Sequence, residues 1–245
     1  MPFRPLLVAA LTAFAGASFA LAANGPTPYP DAKDEAAWPG KGPIRVFGWM
    51  VDNRNYFWNA RDKDQGAVVF VGDSLTANWK GLAQAFPNLK VANRGIGGDV
   101  SRGVLFRFQE DVLDLKPRAI VLLIGTNDLS AHGDPSAAAG NIEAVLDLAR
   151  QSNPALPIVL CKLPPRDSPT APMKPGAFTD LNNRIGKLGS SRDHMAVLDL
   201  ATALATAEGQ PVPEFFAKDR LHLAAPGYKK WAETLRPVLE KLGLK

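Results

Sequence analysis

Three short clusters of small and polar residues carry most of the chemistry this chain can offer. They are Gly72-Asp73-Ser74-Leu75, Asn93-Arg94-Gly95-Ile96-Gly97-Gly98-Asp99 and Gly125-Thr126-Asn127-Asp128. Ser74 is a candidate nucleophile. A serine that opens a helix sits where free N–H groups and the helix dipole favour developing negative charge. The same position also suits a plain helix cap. The G-x-S-x-G elbow is not formed, because Thr76 stands where its last glycine would be.

A serine nucleophile needs a base, and the chain has 3 histidines. His132 lies in a polar stretch and His194 beside Asp193; both read as surface residues. His222 follows Asp219 by one helical turn's worth of chain. The Asp219 carboxylate can curl back to accept the Nδ1–H, which leaves Nε2 free to take a serine proton. Taken without Ser74, that pair could as well be structural. Acyl transfer also needs donors aimed at an oxyanion. The Ser74 N–H, the Gly98 N–H and the Asn127 side chain are the candidates.

Other chemistries fit less well. The glycines at 95–98 could cradle a phosphate, but Val100 occupies the place where a dinucleotide fingerprint has Gly or Ala. No G-x-x-x-x-G-K-[ST] stretch occurs. The histidines are scattered, and Asp219 with His222 offers two metal ligands without a third. No metal and no cofactor is therefore expected.

The elements that would position these clusters are legible as alternating patterns. Apolar runs at 67–72, 90–95, 118–125, 157–162 and 195–200 predict strands. Helical periodicity covers 76–86, 100–115, 136–152, 179–190 and 226–242, with a further helix over 45–62. This alternation predicts a parallel sheet covered on both faces, with all three clusters at one edge. Cys161, the one cysteine, lies in an apolar run and reads as a buried strand residue. The stretch 163–178 contains five prolines. It cannot be a helix or a central strand, and it reads as a lip of the site or as a rigid surface connection.

Residues 1–22 have an early basic residue, an Ala/Leu-rich apolar run and an Ala20-Leu21-Ala22 step, the order of a secretory leader. An exported protein, periplasmic or secreted, is expected, with no stable membrane span once the leader is removed. Residues 23–44, with five prolines, read as a flexible lead-in, and 45–245 as a single domain. The formal charge of +4 is spread among acidic residues without a basic block. That composition argues against a nucleic-acid partner.

Four blocks taken together resemble a known family: VFVGDSL (69–75), NRGIGGDVSRGVLFR (93–107), LLIGTNDL (122–129) and DRLHLAAPGY (219–228). The chain resembles the SGNH (GDSL-like) hydrolases, and most closely their platelet-activating-factor acetylhydrolase-like branch. The resemblance implies an α/β fold of flavodoxin-like, three-layer α/β/α type, with a five-stranded parallel sheet in the order 2-1-3-4-5. It implies Ser74 as nucleophile, Asp219 and His222 as the rest of a triad, and Ser74, Gly98 and Asn127 as the oxyanion hole. Gly98 is preferred to Gly97 because the family's oxyanion glycine immediately precedes the aspartate. Asp73 and Asp128 are expected to orient loops. The implied activity is hydrolysis of carboxylic esters through an acyl-enzyme, with short acyl groups on carbohydrate or lipid as the expected substrates. The alternatives are longer acyl chains (a lysophospholipase or thioesterase), acyl transfer, and non-catalytic carbohydrate binding on the same fold.

Overall fold

The computed structural model describes residues 24–244. The leader expected at 1–22 lies outside these residues. Strands β1 (Val68–Gly72), β2 (Val91–Gly95), β3 (Ala119–Leu123), β4 (Ile158–Cys161) and β5 (Met195–Leu198) form one parallel sheet in the order β2-β1-β3-β4-β5. Val68 faces Val91 on one side and Ala119 on the other. Central strands β1, β3 and β4 are buried along their whole length. Their near-unbroken Val, Ile and Leu runs follow from cover on both faces.

The helices are α1 (Gly48–Ala60), α2 (Ser74–Ala77), α3 (Leu82–Ala85), α4 (Ser101–Asp111), α5 (Thr126–Ser130), α6 (Pro135–Ser152), α7 (Ala177–Ser190), α8 (Leu200–Ala203) and α9 (Ala225–Lys241). One layer sets α4, α6 and α7 side by side, with α1 against α4. The other is built on α9, whose Trp231 packs on Trp79 with ring centroids 4.7 Å apart. The architecture is the expected three-layer α/β/α fold. The helix expected over 76–86 is broken in two. The chain leaves the helix after Ala77, and Trp79 turns into an aromatic cluster with Phe70, Phe86, Tyr228 and Trp231. The helix expected over 100–115 stops at Asp111 and continues as a tighter turn, Leu113–Leu115.

Residues 24–44, read from their composition as a flexible lead-in, are instead tied to the domain, and 45–47, expected as the start of a helix, continue them up to α1. They form a strap across α1 and α4. Trp38 is only 5% exposed and its ring sits 5.3 Å from that of Phe106. The buried guanidinium of Arg102 on α4 donates to the carbonyls of Pro39 (2.9 Å), Gly42 (3.1 Å) and Glu35 (3.0 Å). Asn141 on α6 accepts from the Lys41 N–H and donates to the Lys41 carbonyl. Prolines and glycines stopped the strap from forming a helix. They left its carbonyls free, and buried side chains of the domain take up those carbonyls.

This arrangement predicts that Arg102→Met strands several strap carbonyls at once. Hydrogen bonds from charged groups are worth roughly 1.5–3 kcal/mol each, so an unfolding loss of about 3 kcal/mol is expected in urea. Trypsin should also cut faster at Lys33 and Lys41. Wild-type stability with wild-type cleavage would count against the strap.

Candidate active site

Ser74 is placed by a close approach of strands. At Gly72, a Cβ would lie 2.1 Å from the carbonyl oxygen of Leu123, so only glycine lets β1 end beside β3 in this way. Asp73 then caps α2: its Oδ1 accepts the Leu75 N–H at 2.9 Å. Ser74 becomes the first residue of that helix, half-buried, with its hydroxyl at the carboxyl edge of the sheet.

Of the chain's histidines, His222 reaches it. His222 Nε2 lies 2.9 Å from Ser74 Oγ, and His222 Nδ1 lies 2.5 Å from Asp219 Oδ2. The other carboxylate oxygen of Asp219 accepts the N–H groups of Leu221 and His222, each at 3.0 Å. Burial opposes charge on Asp219, but the bonds from the His222 ring and the two N–H groups outweigh it and hold the carboxyl below its usual range. An ionised Asp219 therefore accepts from Nδ1–H and leaves the Nε2 lone pair toward Ser74. A short antiparallel bridge, Phe216 to Leu223, closes the turn that carries the pair. His132 and His194 are exposed, as expected, and both have left-handed backbone, with φ of 55°.

The two remaining clusters meet Ser74 at the same edge. The turn Ile96–Asp99 folds over it, closed by the Asp99 N–H donating to Ile96 O. Gly98 has φ of +83°, a conformation costly for other residues. A Cβ on Gly97 would stand 4.0 Å from Ser74 Cβ. Asn127, 8% exposed, donates from Nδ2 to Asp99 O at 2.9 Å, and its Oδ1 accepts from Arg45 at 3.3 Å. These two partners fix which way the amide points. Asp128 orients a neighbour, as expected: its carboxylate accepts the N–H and hydroxyl of Ser101 at the start of α4. Burial lifts it to about 6 against those bonds.

Several site residues were not visible in the sequence. Arg107 on α4 is fully buried and donates to Gly72 O (3.2 Å), Arg94 O (2.9 Å) and the Asp99 carboxylate (2.8 Å). Arg45 comes from the strap, and nothing in its own neighbourhood, GPIRVFGW, marks it. The proline-rich loop 163–178 does reach the site. Arg166 donates to the hydroxyls of Thr126 and Ser130, and Asp167 pairs with Arg220, between Asp219 and His222, at 3.0 Å. Cys161 is buried, and burial pushes its thiol up. Among the described residues, no three of the His, Cys, Asp and Glu side chains are grouped to hold a metal ion.

A parallel sheet with a strand-end serine facing a carboxylate-backed imidazole belongs to the flavodoxin-like α/β hydrolases. The model of the GDSL-like lipase/acylhydrolase family matches residues 70–230. The chain belongs to that family, and it is an ester-bond hydrolase. Human platelet-activating factor acetylhydrolase IB subunit alpha2 is 29% identical over 203 residues, 79% of this chain and 84% of the relative. The human alpha1 subunit is 27% identical over 234 residues, 90% of each. Among solved structures, a GDSL-like lipase from Bacteroides thetaiotaomicron superposes with a TM-score of 0.64 at 27% identity, over 74% of this chain and 90% of that one. A lipase/acylhydrolase from Enterococcus faecalis gives 0.60 at 23% identity, over 72% and 96%, a likeness of fold.

Asp73 makes the site's surroundings sensitive to pH. Burial lifts its carboxyl from 3.8 to about 7; the Leu75 N–H opposes this, and the nearby Asp99 and Asp128 reinforce it. Its Oδ2 has no hydrogen-bond partner. The folded chain thus keeps a proton that the unfolded chain releases above about pH 4. The stability this contributes is full below about pH 4 and is lost as pH rises through about 7. Asp73→Asn keeps the acceptor for Leu75 and removes the titration. Urea unfolding near pH 5 and near pH 8 should show a wild-type loss about 2–3 kcal/mol larger than the variant's. Equal losses would sink this account.

Proposed function

We propose that the chain is a serine esterase that hydrolyses short-acyl carboxylic esters, acetyl esters above all, carried on a carbohydrate or lipid alcohol. The observation that carries the reading is the 2.9 Å separation of Ser74 Oγ and His222 Nε2, with Asp219 behind the imidazole. His222 Nε2 takes the hydroxyl proton as Ser74 Oγ attacks the ester carbonyl carbon. The carbonyl oxygen becomes an oxyanion held by the Ser74 N–H, the Gly98 N–H and Asn127 Nδ2. The tetrahedral species collapses, the C–O bond to the alcohol breaks, and His222 returns its proton to that alcohol. Water then attacks the acyl-Ser74 ester with His222 again as base, releasing the acid and restoring the hydroxyl.

Asp219 keeps its charge throughout and stabilises the imidazolium that forms between the steps. The short-acyl reading is supported by the names of the relatives, which are acetylhydrolases. The loop 163–178, tied to α5 by Arg166 and to the His222 turn by Asp167, serves as a wall of the site. Export to the periplasm or beyond is part of the same reading and rests on the leader-like residues 1–22.

Ser74→Ala should abolish both ester hydrolysis and labelling by a fluorophosphonate probe, with rates down by roughly 10⁴-fold or more. Asn127→Ala should lower kcat by roughly 10²–10³. A series of p-nitrophenyl esters should favour acetate over octanoate. A Ser74→Ala protein of full activity would end the triad reading. A preference for octanoate would end the short-acyl one.

A further inference from the structure

The strap enters α1 over the candidate oxyanion turn, and two partly exposed aromatic residues ride on that turn. The Trp49 indole N–H donates to Gly97 O at 2.9 Å. The Phe47 ring comes within 3.5 Å of where a Cβ on Gly98 would sit. The two rings stack with centroids 4.5 Å apart and planes 16° from parallel. Yet Phe47 is 39% and Trp49 51% exposed. Two residues earlier, Arg45 reaches Asn127. The pair is thus seated on the backbone of Gly97 and Gly98, just beyond the arginine that reaches the third candidate oxyanion donor.

These rings add little to the core, since they leave much of their area in water. What they offer is a flat surface held rigid by the indole tether. We infer that Phe47 and Trp49 form a subsite that takes the sugar ring of an acylated carbohydrate whose ester carbonyl lies in the oxyanion hole. This rests on the esterase reading above and names the substrate class of the same site. A pyranose presents an apolar C–H face bounded by equatorial hydroxyls. That face carries slight positive charge and lies well on the negative π-face of an aromatic ring, while the hydroxyls stay solvated around the rim. A half-exposed stack suits such a ligand. An acyl chain gains its stabilisation only from methylenes withdrawn from water, roughly 0.8 kcal/mol each, and an open platform withdraws few.

The test compares kcat/KM on a peracetylated methyl xyloside with kcat/KM on ethyl acetate, which has the same acyl group and no ring. The ratio should fall roughly three- to tenfold in Phe47→Ala and in Trp49→Ala, mainly through KM, the size of one lost aromatic contact. Trp49→Phe, which keeps a ring and loses the tether, should hold the ratio within about twofold. Both alanine changes are at exposed positions, and either one alone suffices if the other fails to fold. An unchanged ratio overturns the subsite. So does an equal fall on both esters, which would mean that the rings only brace the Gly97–Gly98 turn. A loss seen only with an octanoyl ester in phosphatidylcholine vesicles would assign the rings to lipid and overturn it too. A wild-type protein that hydrolyses neither acetate and takes no fluorophosphonate at Ser74 defeats the esterase reading itself, an outcome separate from the others.

Discussion

One guanidinium, buried between α4 and the carboxyl ends of β1 and β2, gathers the pieces of chain that meet at Ser74. Arg107 donates to the carbonyl of Gly72, to the carbonyl of Arg94 and to the carboxylate of Asp99. It therefore ties the residue just before Asp73 and Ser74 to the strand beside it and to the end of the Ile96–Asp99 turn. A buried charge is tolerated only while its partners stay in place, and stranding it costs several kcal/mol. Once α4 has packed, neither strand end can drift without leaving Arg107 unsatisfied. The tie extends outward as well. Asp111, which also accepts from Arg107, lies against Arg54 of α1, and Arg54 donates to the strap carbonyl of Thr27. Site and strap are parts of one polar network under the apolar layers.

The carboxylates near the site have distinct tasks. Asp219, partly open to water and surrounded by donors, stays ionised behind the imidazole. Asp73 and Asp128 are buried and lifted toward neutrality, and their hydrogen bonds go to helix starts, of α2 and of α4. Only a short segment separates each from the groups that would touch a substrate. They shape the edge of the sheet on which Ser74 and Asn127 sit.

The strand-and-cluster pattern was legible because parallel strands joined by helices must bring all their carboxyl ends to one edge. That rule alone set Ser74, the Gly97–Gly98 turn and Asn127 together, although 148 residues separate Ser74 from its partner His222. The break between α2 and α3 was not legible, because it follows from where Trp79 finds other aromatic rings. The strap was misread for a related reason. Proline and glycine content reports what a backbone cannot do locally, and says nothing about distant side chains able to bond its carbonyls. Likewise Arg54, Arg94, Arg102 and Arg107 looked like part of a scattered surface charge. All four are buried, each beside acceptors supplied by segments far away in sequence.

The strap also imposes an order on assembly. Its carbonyls wait for Arg102, 67 residues beyond Glu35, and for Asn141, 100 residues beyond Lys41. A chain emerging amino end first has therefore released the strap long before either partner exists. During that interval Trp38, buried in the finished fold, has nothing to cover it, and the newborn segment shows apolar surface of the kind chaperones hold. Synthesis must pass the middle of α6 before the strap can be seated, and must reach the turn of Asp219 and His222, later still, before the surroundings of Ser74 are complete.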